Sequence, residues 1–330
     1  MQLFPFLLIL FSASLSFLLL IAIIPFLKKS FVDIPNLRSS HMLPTPRGGG
    51  ISFILIATLS SIIFICFDLT QSTFVILPLI VLPLSLVGLL DDRFQLSSLV
   101  RYFFQLLTAI SLLLVSPLFL SLFSNDSQSL FSLVLSIFLI LFVSAIINFV
   151  NFMDGIDGLV SSSLIVALGF IAFFLNYPLS VCILLGSLIG FLFCNWSPAR
   201  VFMGDSGSTF LGAIYAGILL QASSWNEAIC FLLLITPLIL DSCFCVIRRF
   251  FSGQQIFEAH RLHIYQRLTQ AGWSHSSVSL LYALSCAFIG ISLLFDSKLF
   301  SIFSVSSVII LGIYFDRHVA IPFSLASAEK

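Results

Sequence analysis

The chain has 330 residues, 59% of them hydrophobic and only 8% charged, and its formal net charge is zero. Soluble domains carry about 25% charged residues, so the composition excludes a water-soluble globular protein, and a zero net charge excludes nucleic acid as a bulk electrostatic partner. Apolar runs of about 20 residues, the length a helix needs to cross a ~30 Å hydrocarbon layer, recur throughout and exclude the weaker ten-residue alternation of a membrane β-barrel.

Taken in chain order, the runs predict an all-α polytopic membrane protein with eleven crossings, or ten if one short run stays out of the bilayer. They lie near 4–26, 50–66, 73–90, 101–123, 128–147, 159–176, 179–194, 207–223, 227–247, 276–295 and 298–315. All belong to one membrane domain spanning 1–330, and residues 320–330 read as a disordered tail. No basic residue precedes the first run, which speaks against a cleaved signal peptide. The 38 Phe residues read as mostly lipid-facing filler. The cysteines (Cys66, Cys182, Cys194, Cys230, Cys243, Cys245 and Cys286) lie almost all inside apolar runs and read as small buried hydrophobes, neither a disulfide framework nor a zinc site. Every Lys and Arg except Lys298 falls in one set of alternate loops or at the C-terminus. By the positive-inside bias this puts the N-terminus outside and the C-terminus in the cytoplasm.

The unusual polar residues then share the cytoplasmic side. In chain order they are DIPNLRSSHMLPTPRGGG (33–50), DDRF (91–94), NFVNFMDGIDGL (148–159), NWSPARVFMGDSGS (195–208) and EAHRLHIYQRL (258–268). Carboxylates at a bilayer edge are costly unless something binds them. Asp91, Asp92, Asp154, Asp157 and Asp205, if they converge, would repel strongly without a divalent cation. Magnesium suits such a site, because it takes oxygen ligands, keeps waters and partners substrate phosphates; Asn151 would add a neutral carbonyl oxygen. The glycines of GDSG before an apolar run suit close approach of a phosphate to a helix N-terminus. Arg47 with Gly48–Gly50, and His260, Arg261, His263 and Arg267, would hold a second phosphate or a lipid phosphate. Asp241, alone in an apolar run, reads as a structural partner, and His275 and His318 as solvated interfacial residues.

In order and spacing these five motifs resemble the polyprenyl-phosphate N-acetylhexosamine-1-phosphate transferases, glycosyltransferase family 4. Within that family the AHRLHIYQR loop is most similar to bacterial enzymes that initiate O-antigen and lipopolysaccharide synthesis, and lacks the triple-histidine run of the phospho-MurNAc-pentapeptide translocases. The resemblance implies a bacterial cytoplasmic-membrane enzyme whose active site faces the cytoplasm. Undecaprenyl phosphate would attack the β-phosphorus of a UDP-N-acetylhexosamine, with Mg2+ (Mn2+ as a substitute), and the enzyme would work in the lipid bilayer, as a homodimer in many relatives. It implies Asn151 and Asp205 as metal ligands and Asp91 and Asp92 as the acidic pair near the lipid phosphate, with Asp154 counted among the catalytic carboxylates. Asp157, Asn195 and Phe202 would contact the nucleoside, and His260, Arg261 and His263 the diphosphate and sugar. A phosphate monoester has its second pKa near 6, so the lipid nucleophile needs little help from a base and a single direct displacement is expected, with a double displacement through an aspartyl-phosphate as the alternative that sequence leaves open. A secondary transporter would instead carry its carboxylates near the midplane on broken helices. An intramembrane aspartyl protease would need Gly-x-Gly-Asp where this chain has Phe202-Met203-Gly204-Asp205. A CDP-alcohol phosphotransferase would need further aspartates in 159–176, where there are none.

Overall fold

The structure is a computed structural model and describes residues 3–35, 43–70, 72–121, 130–255 and 260–328. Arg38, the expected outer loop at 124–129 and Glu258 lie outside the described residues. Among the described residues fifteen α-helices follow one another: α1 (Leu3–Ser30), α2 (Ile51–Cys66), α3 (Leu77–Phe94), α4 (Ser98–Leu114), α5 (Pro117–Ser121), α6 (Leu130–Phe152), α7 (Leu159–Phe174), α8 (Leu179–Asn195), α9 (Gly204–Leu220), α10 (Trp225–Leu234), α11 (Thr236–Phe251), α12 (Ile264–Gln270), α13 (His275–Leu293), α14 (Lys298–His318) and α15 (Phe323–Ala328). A two-residue antiparallel ladder pairs β1 (Val32–Asp33) with β2 (Thr45–Pro46). The chain is an all-α polytopic membrane protein. With no water in hydrocarbon to satisfy the peptide groups, apolar runs of this length must close their hydrogen bonds within the segment.

Among the described residues, α1, α3 with its leading turn, α6, α13 and α14 are long and apolar enough to cross a membrane alone. The helices α2, α4, α7 and α8 are apolar but only 16 or 17 residues long.

The run expected as one crossing at 227–247 is broken: α10 and α11 meet at 77°. Pro237, in the first turn of α11, has no N–H to continue the ladder, and Thr236 Oγ1 takes the orphaned Leu233 carbonyl instead at 2.6 Å. The run at 101–123 is likewise split, between α4 and α5, where Ser116 Oγ donates to the Leu220 carbonyl at 2.6 Å and Pro117 opens the next turn.

Helix α9 is the centre of the bundle. It packs against α3, α4, α6 and α10, and every residue in it except Asp205 is buried. Its Gly, Ala, Ser and Thr residues let neighbouring backbones approach, which is how helices associate where lipid removes the usual hydrophobic gain. Gly186 and Gly190, one turn apart on α8, do the same against α1, where a Cβ on either would strike Ser12, Ala13 or Ser16.

Two expectations change. Many Phe side chains do face outward, yet Phe53, Phe191, Phe210 and Phe231 are fully buried. The tail is not disordered through 320–328. Ala320 is buried, Arg267 donates to the Ile321 carbonyl at 2.8 Å, and the Phe323 ring lies 5.1 Å from the Arg248 guanidinium and 5.9 Å from that of Arg267.

Candidate active site

Three chain segments are stitched together before any functional side chain is placed. Phe202 N donates to the Pro46 carbonyl at 2.8 Å, Gly49 N to Phe202 at 2.9 Å and Gly50 N to Met203 at 3.0 Å. A Cβ at Gly50 would sit 2.5 Å from Gly207 Cα, and one at Gly88 of α3 would sit 2.7 Å from Ser206 N. These glycines let α2, α3 and the start of α9 meet backbone to backbone.

Gly204 enters α9 at φ +79°, a conformation that costs glycine nothing, and a Cβ there would lie 2.5 Å from Asp92 Oδ2. Asp92 fills that space: Oδ1 accepts from Asp205 N at 2.9 Å, and Oδ2 from Ser206 N and Ser206 Oγ at 3.3 Å. A carboxylate from α3 thus caps α9, satisfying orphan donors and meeting the positive end of the helix dipole. This corrects the expectation that the GDSG turn presents its N–H groups to a phosphate, because two of them are already taken.

The cap points the neighbouring carboxylates into a cleft of about 300 Å3 lined by Asp91, Arg101, Asn148, Asn151, Asp205, Thr209, His260 and His263, among others. Arg101 Nη1 donates to Asp91 Oδ2 at 2.9 Å and stands 3.7 Å from Asp205 Oδ2. Asp91 Oδ1 accepts from Leu96 N at 2.6 Å, closing the end of α3. Asn151, at the end of α6, is tied to α9 through Ser208, whose Oγ lies 2.6 Å from Asn151 Oδ1 and 3.0 Å from the Gly204 carbonyl. Behind it, Asn148 and Gln105 exchange amide hydrogen bonds at 2.9 and 3.2 Å.

The 153–158 turn stands beside this cleft. Burial, with Asp92 nearby, pushes the Asp154 carboxyl up to about 7. Asp157 is buried, which works against its charge, yet its pairing with His275 (Nδ1 3.3 Å from Oδ2) and the Ala199 N–H at 3.2 Å hold its carboxyl below the ordinary range. His275 is therefore a partner of Asp157 and not the solvated residue expected. Asn195 is almost wholly buried. Its Oδ1 accepts from Gly158 N at 3.2 Å and Ser161 Oγ at 2.9 Å, and Nδ2 donates to the Val201 carbonyl at 3.1 Å. Its polar atoms are committed to the protein, joining the DGIDGL and RVFMGD segments. Phe202 is half-buried in the latter segment. Arg47 Nη2 pairs with Asp33 Oδ2 at 2.7 Å.

The opposite wall comes from α12 and the residues before it. Asp241 of α11 is the structural partner expected: its carboxylate accepts from Ile264 N at 2.7 Å, Tyr265 N at 3.1 Å and Tyr282 Oη at 2.7 Å. That caps α12 from another helix, as Asp92 caps α9, and sets His263, the residue before α12, against the cleft. Tyr265 Oη donates to the Phe152 carbonyl at 3.0 Å, passing over Gly155, where a Cβ would collide with it. Arg261 is half-buried in this segment and its carbonyl accepts from Gln270 at 3.0 Å.

One cleft therefore gathers Asp91, Asn151, Asp205, His260 and His263, while Asp92 and Asp157 support it through bonds to the backbone. Sequence reading missed Arg101, taken as a topology signal, although its position ten residues after Asp91 at the start of a helix places a cation at the acidic pair. Asp205, Asn151 and Asp91 all line the cleft and offer it oxygen donors, the kind that a hard divalent cation takes.

Comparison with known proteins decides the family. The model of glycosyl transferase family 4 matches residues 74–223. The chain is 31% identical over 281 residues to a probable undecaprenyl-phosphate N-acetylglucosaminyl 1-phosphate transferase of Bacillus subtilis (strain 168), covering 79% of this chain and 76% of that protein. The chain belongs to glycosyl transferase family 4. The chain is also similar to the decaprenyl-phosphate N-acetylglucosaminephosphotransferase of Mycobacterium leprae (strain TN), 31% identical over 292 residues, 76% of this chain and 73% of that one. A phospho-N-acetylmuramoyl-pentapeptide-transferase of Staphylococcus carnosus (strain TM300) is 29% identical over 264 residues, 72% and 81% of the two chains. As a family 4 member the chain is an enzyme of the polyprenyl-phosphate hexosamine-1-phosphate transferase superfamily, and the resemblance carried by its five motifs holds.

Proposed function

We propose that this enzyme moves an N-acetylhexosamine 1-phosphate from a UDP-sugar to undecaprenyl phosphate. The products are undecaprenyl-diphospho-sugar and UMP, the first step of an O-antigen, lipopolysaccharide or related envelope glycan. The observation that carries this reading is the single cleft in which Asp91, Asn151, Asp205 and Arg101 face His260 and His263. It puts oxygen donors for a cation on one wall and imidazoles for a diphosphate on the other. In the bilayer, the chain makes eleven crossings with the α10–α11 pair as one, the N-terminus outside, and the cleft open to the cytoplasm of a bacterial inner membrane.

Phosphoryl transfer asks for positioning and charge neutralisation more than for covalent help. Asp205 and Asn151 would hold magnesium, which when bound neutralises charge on the diphosphate and eases departure of UMP. Arg101, reaching both Asp91 and Asp205, keeps the carboxylates apart in charge and offers a cation to the incoming lipid phosphate. Asp91 orients that phosphate or accepts its residual proton, while Asp92 holds the N-terminus of α9 and so fixes Asp205. Asp157 and Asn195 act on the nucleoside through the backbone they position, and Phe202 offers a ring face to uracil. His260, Arg261 and His263 contact the diphosphate and sugar. Displacement in one step follows, since the nucleophile is already mostly dianionic at neutral pH.

The test is UMP release by purified protein with magnesium, undecaprenyl phosphate and, in turn, UDP-GlcNAc, UDP-GalNAc, UDP-FucNAc, UDP-QuiNAc and UDP-MurNAc-pentapeptide. Release that needs both lipid and metal with one of the first four supports the proposal and names the sugar. Release with the pentapeptide alone replaces the glycan assignment, and silence across the panel from folded protein overturns the reading. A phosphoenzyme trapped from UDP-sugar without lipid would rule out the one-step route.

A further inference from the structure

We propose that Cys245, His260 and His263 form a thiolate–imidazole site for a transition metal of the zinc class, distinct from the magnesium donors, and that its occupancy inhibits the enzyme. Among the described residues, this is the one group of three His, Cys, Asp or Glu side chains whose ligand atoms all come within 4.8 Å of one another. Cys245 Sγ stands 4.0 Å from His260 Nδ1, and the two imidazoles stack at 5.1 Å with 27° between their planes. Cys245 and His263 are 4% and 2% exposed, so two of the three ligands are fixed by packing.

The surroundings of His263 fit such a site. His263 Nδ1 is buried and makes no hydrogen bond, with Asp241 Oδ1 3.5 Å away. A metal on His263 Nε2 has that carboxylate behind it as the partner that orients the imidazole, the arrangement zinc sites commonly use.

The donor set selects the ion. One sulfur and two nitrogens suit Zn2+ and do not suit Mg2+, which takes oxygen. Zinc–sulfur and zinc–nitrogen bonds of about 2.3 and 2.0 Å place tetrahedral ligands roughly 3.5 Å apart, so the present spacing closes by about 1 Å on binding. Coordination releases the thiol proton to solvent, leaving a zinc-bound thiolate and two neutral imidazoles. Because His260 and His263 line the reaction cleft, the fourth position faces it and would be filled by water or a phosphate oxygen. The metal then holds both imidazoles away from a sugar nucleotide, an effect that rests on the function proposed above. Cys245, read from sequence as an apolar filler, has no place in the transfer chemistry itself.

Cobalt(II) tests the site without any assay of turnover. Titrated into the purified full-length chain, it is expected to give visible d–d bands and a near-ultraviolet thiolate-to-cobalt charge-transfer band at one ion per chain, bleached by added Zn2+. Cys245→Ser should abolish the charge-transfer band, and Cys243→Ser should leave it intact. No band in the parent protein, or an equal band in Cys245→Ser, overturns the site. Turnover at saturating magnesium tests the inhibition separately. Zn2+ should inhibit the parent reversibly on chelation, while Cys245→Ser should keep its basal rate and need at least tenfold more Zn2+. Equal inhibition of both proteins overturns the regulatory half. If no UDP-sugar supports turnover, the cobalt spectrum still decides the site, so the two proposals fail separately.

Discussion

Asp316→Asn tests how the His260–His263 wall is held. Asp316 of α14 accepts from Arg248 at 2.8 and 3.0 Å and pairs closely with Arg267 of α12, whose guanidinium also donates to the Leu262 and Ile321 carbonyls at 3.1 and 2.8 Å. The Arg267 side chain is 2% exposed and that of Arg248 is 37%. An exposed pair is worth about 0–1 kcal/mol, so losing the Arg248 contact matters little. Stranding the buried Arg267 costs about 3–5 kcal/mol. At 1.4 kcal/mol per tenfold, the local opening equilibrium of α12 should rise by about two to three and a half powers of ten. Amide hydrogen exchange across 264–270 and 319–325 should accelerate by that factor, with α9 unchanged. Adding Arg267→Met should remove most of the effect, since the stranded charge is its cause. Exchange in α12 within threefold of the parent would refute the reasoning.

Asp205→Asn should lower transfer by at least a hundredfold while the protein still inserts and melts normally; near-parent turnover would contradict its place as a metal ligand. Gly88→Ala puts a Cβ 2.7 Å from Ser206 N. Overpacking of this kind costs about 1–3 kcal/mol, and the separation of α3 from α9 should cut kcat/KM more than tenfold, so an unchanged rate would show that the contact does not set the site. His275→Ala tests the Asp157 pair through pH. Because the Asp157 carboxyl is held low, its stabilising charge is present above the unfolded value of about 3.9 and is lost as pH falls through the lower folded value. Without His275, burial dominates and the acid limb of thermal stability should move to higher pH; superimposable profiles would dismiss the pairing. His263→Ala should raise KM for the sugar nucleotide with insertion unaffected, and an unchanged KM would remove that wall from donor binding.

Much of the frame was legible because apolar run length is a one-dimensional property. The expected runs fall on helices, and the breaks at Thr236–Pro237 and Ser116–Pro117 were visible as prolines that hydropathy alone overlooks. The gathering of Asp91, Asn151, Asp205, His260 and His263 was legible as a collinear set of motifs. What each residue does there was less so, because its partner is remote in sequence. Asp92 and Asp205, His275 and Asp157, and Asn195 and Gly158 look alike in composition whether they face substrate or one another. The tail misled for the same reason: SLASAEK is polar and short, and 320–328 is held by remote partners, the Arg267 bond to the Ile321 carbonyl and the contact of Phe323 with two arginines.

The two caps contributed from other helices bear on how the enzyme is assembled in the membrane. The N-terminus of α9 finds its acceptor on α3, six helices earlier in the chain, and Asp92 has no backbone partner of this kind until α9 arrives. The cap on α12 closes locally, within 24 residues of chain. The histidine wall gains its backbone cap once α11 and α12 are made, and its further support from Tyr282 of α13 and Asp316 of α14 comes later in the chain. The acidic wall forms only on tertiary docking of two helices that enter the bilayer separately. The cleft is therefore complete only when both walls have docked, and not when any single helix enters the bilayer.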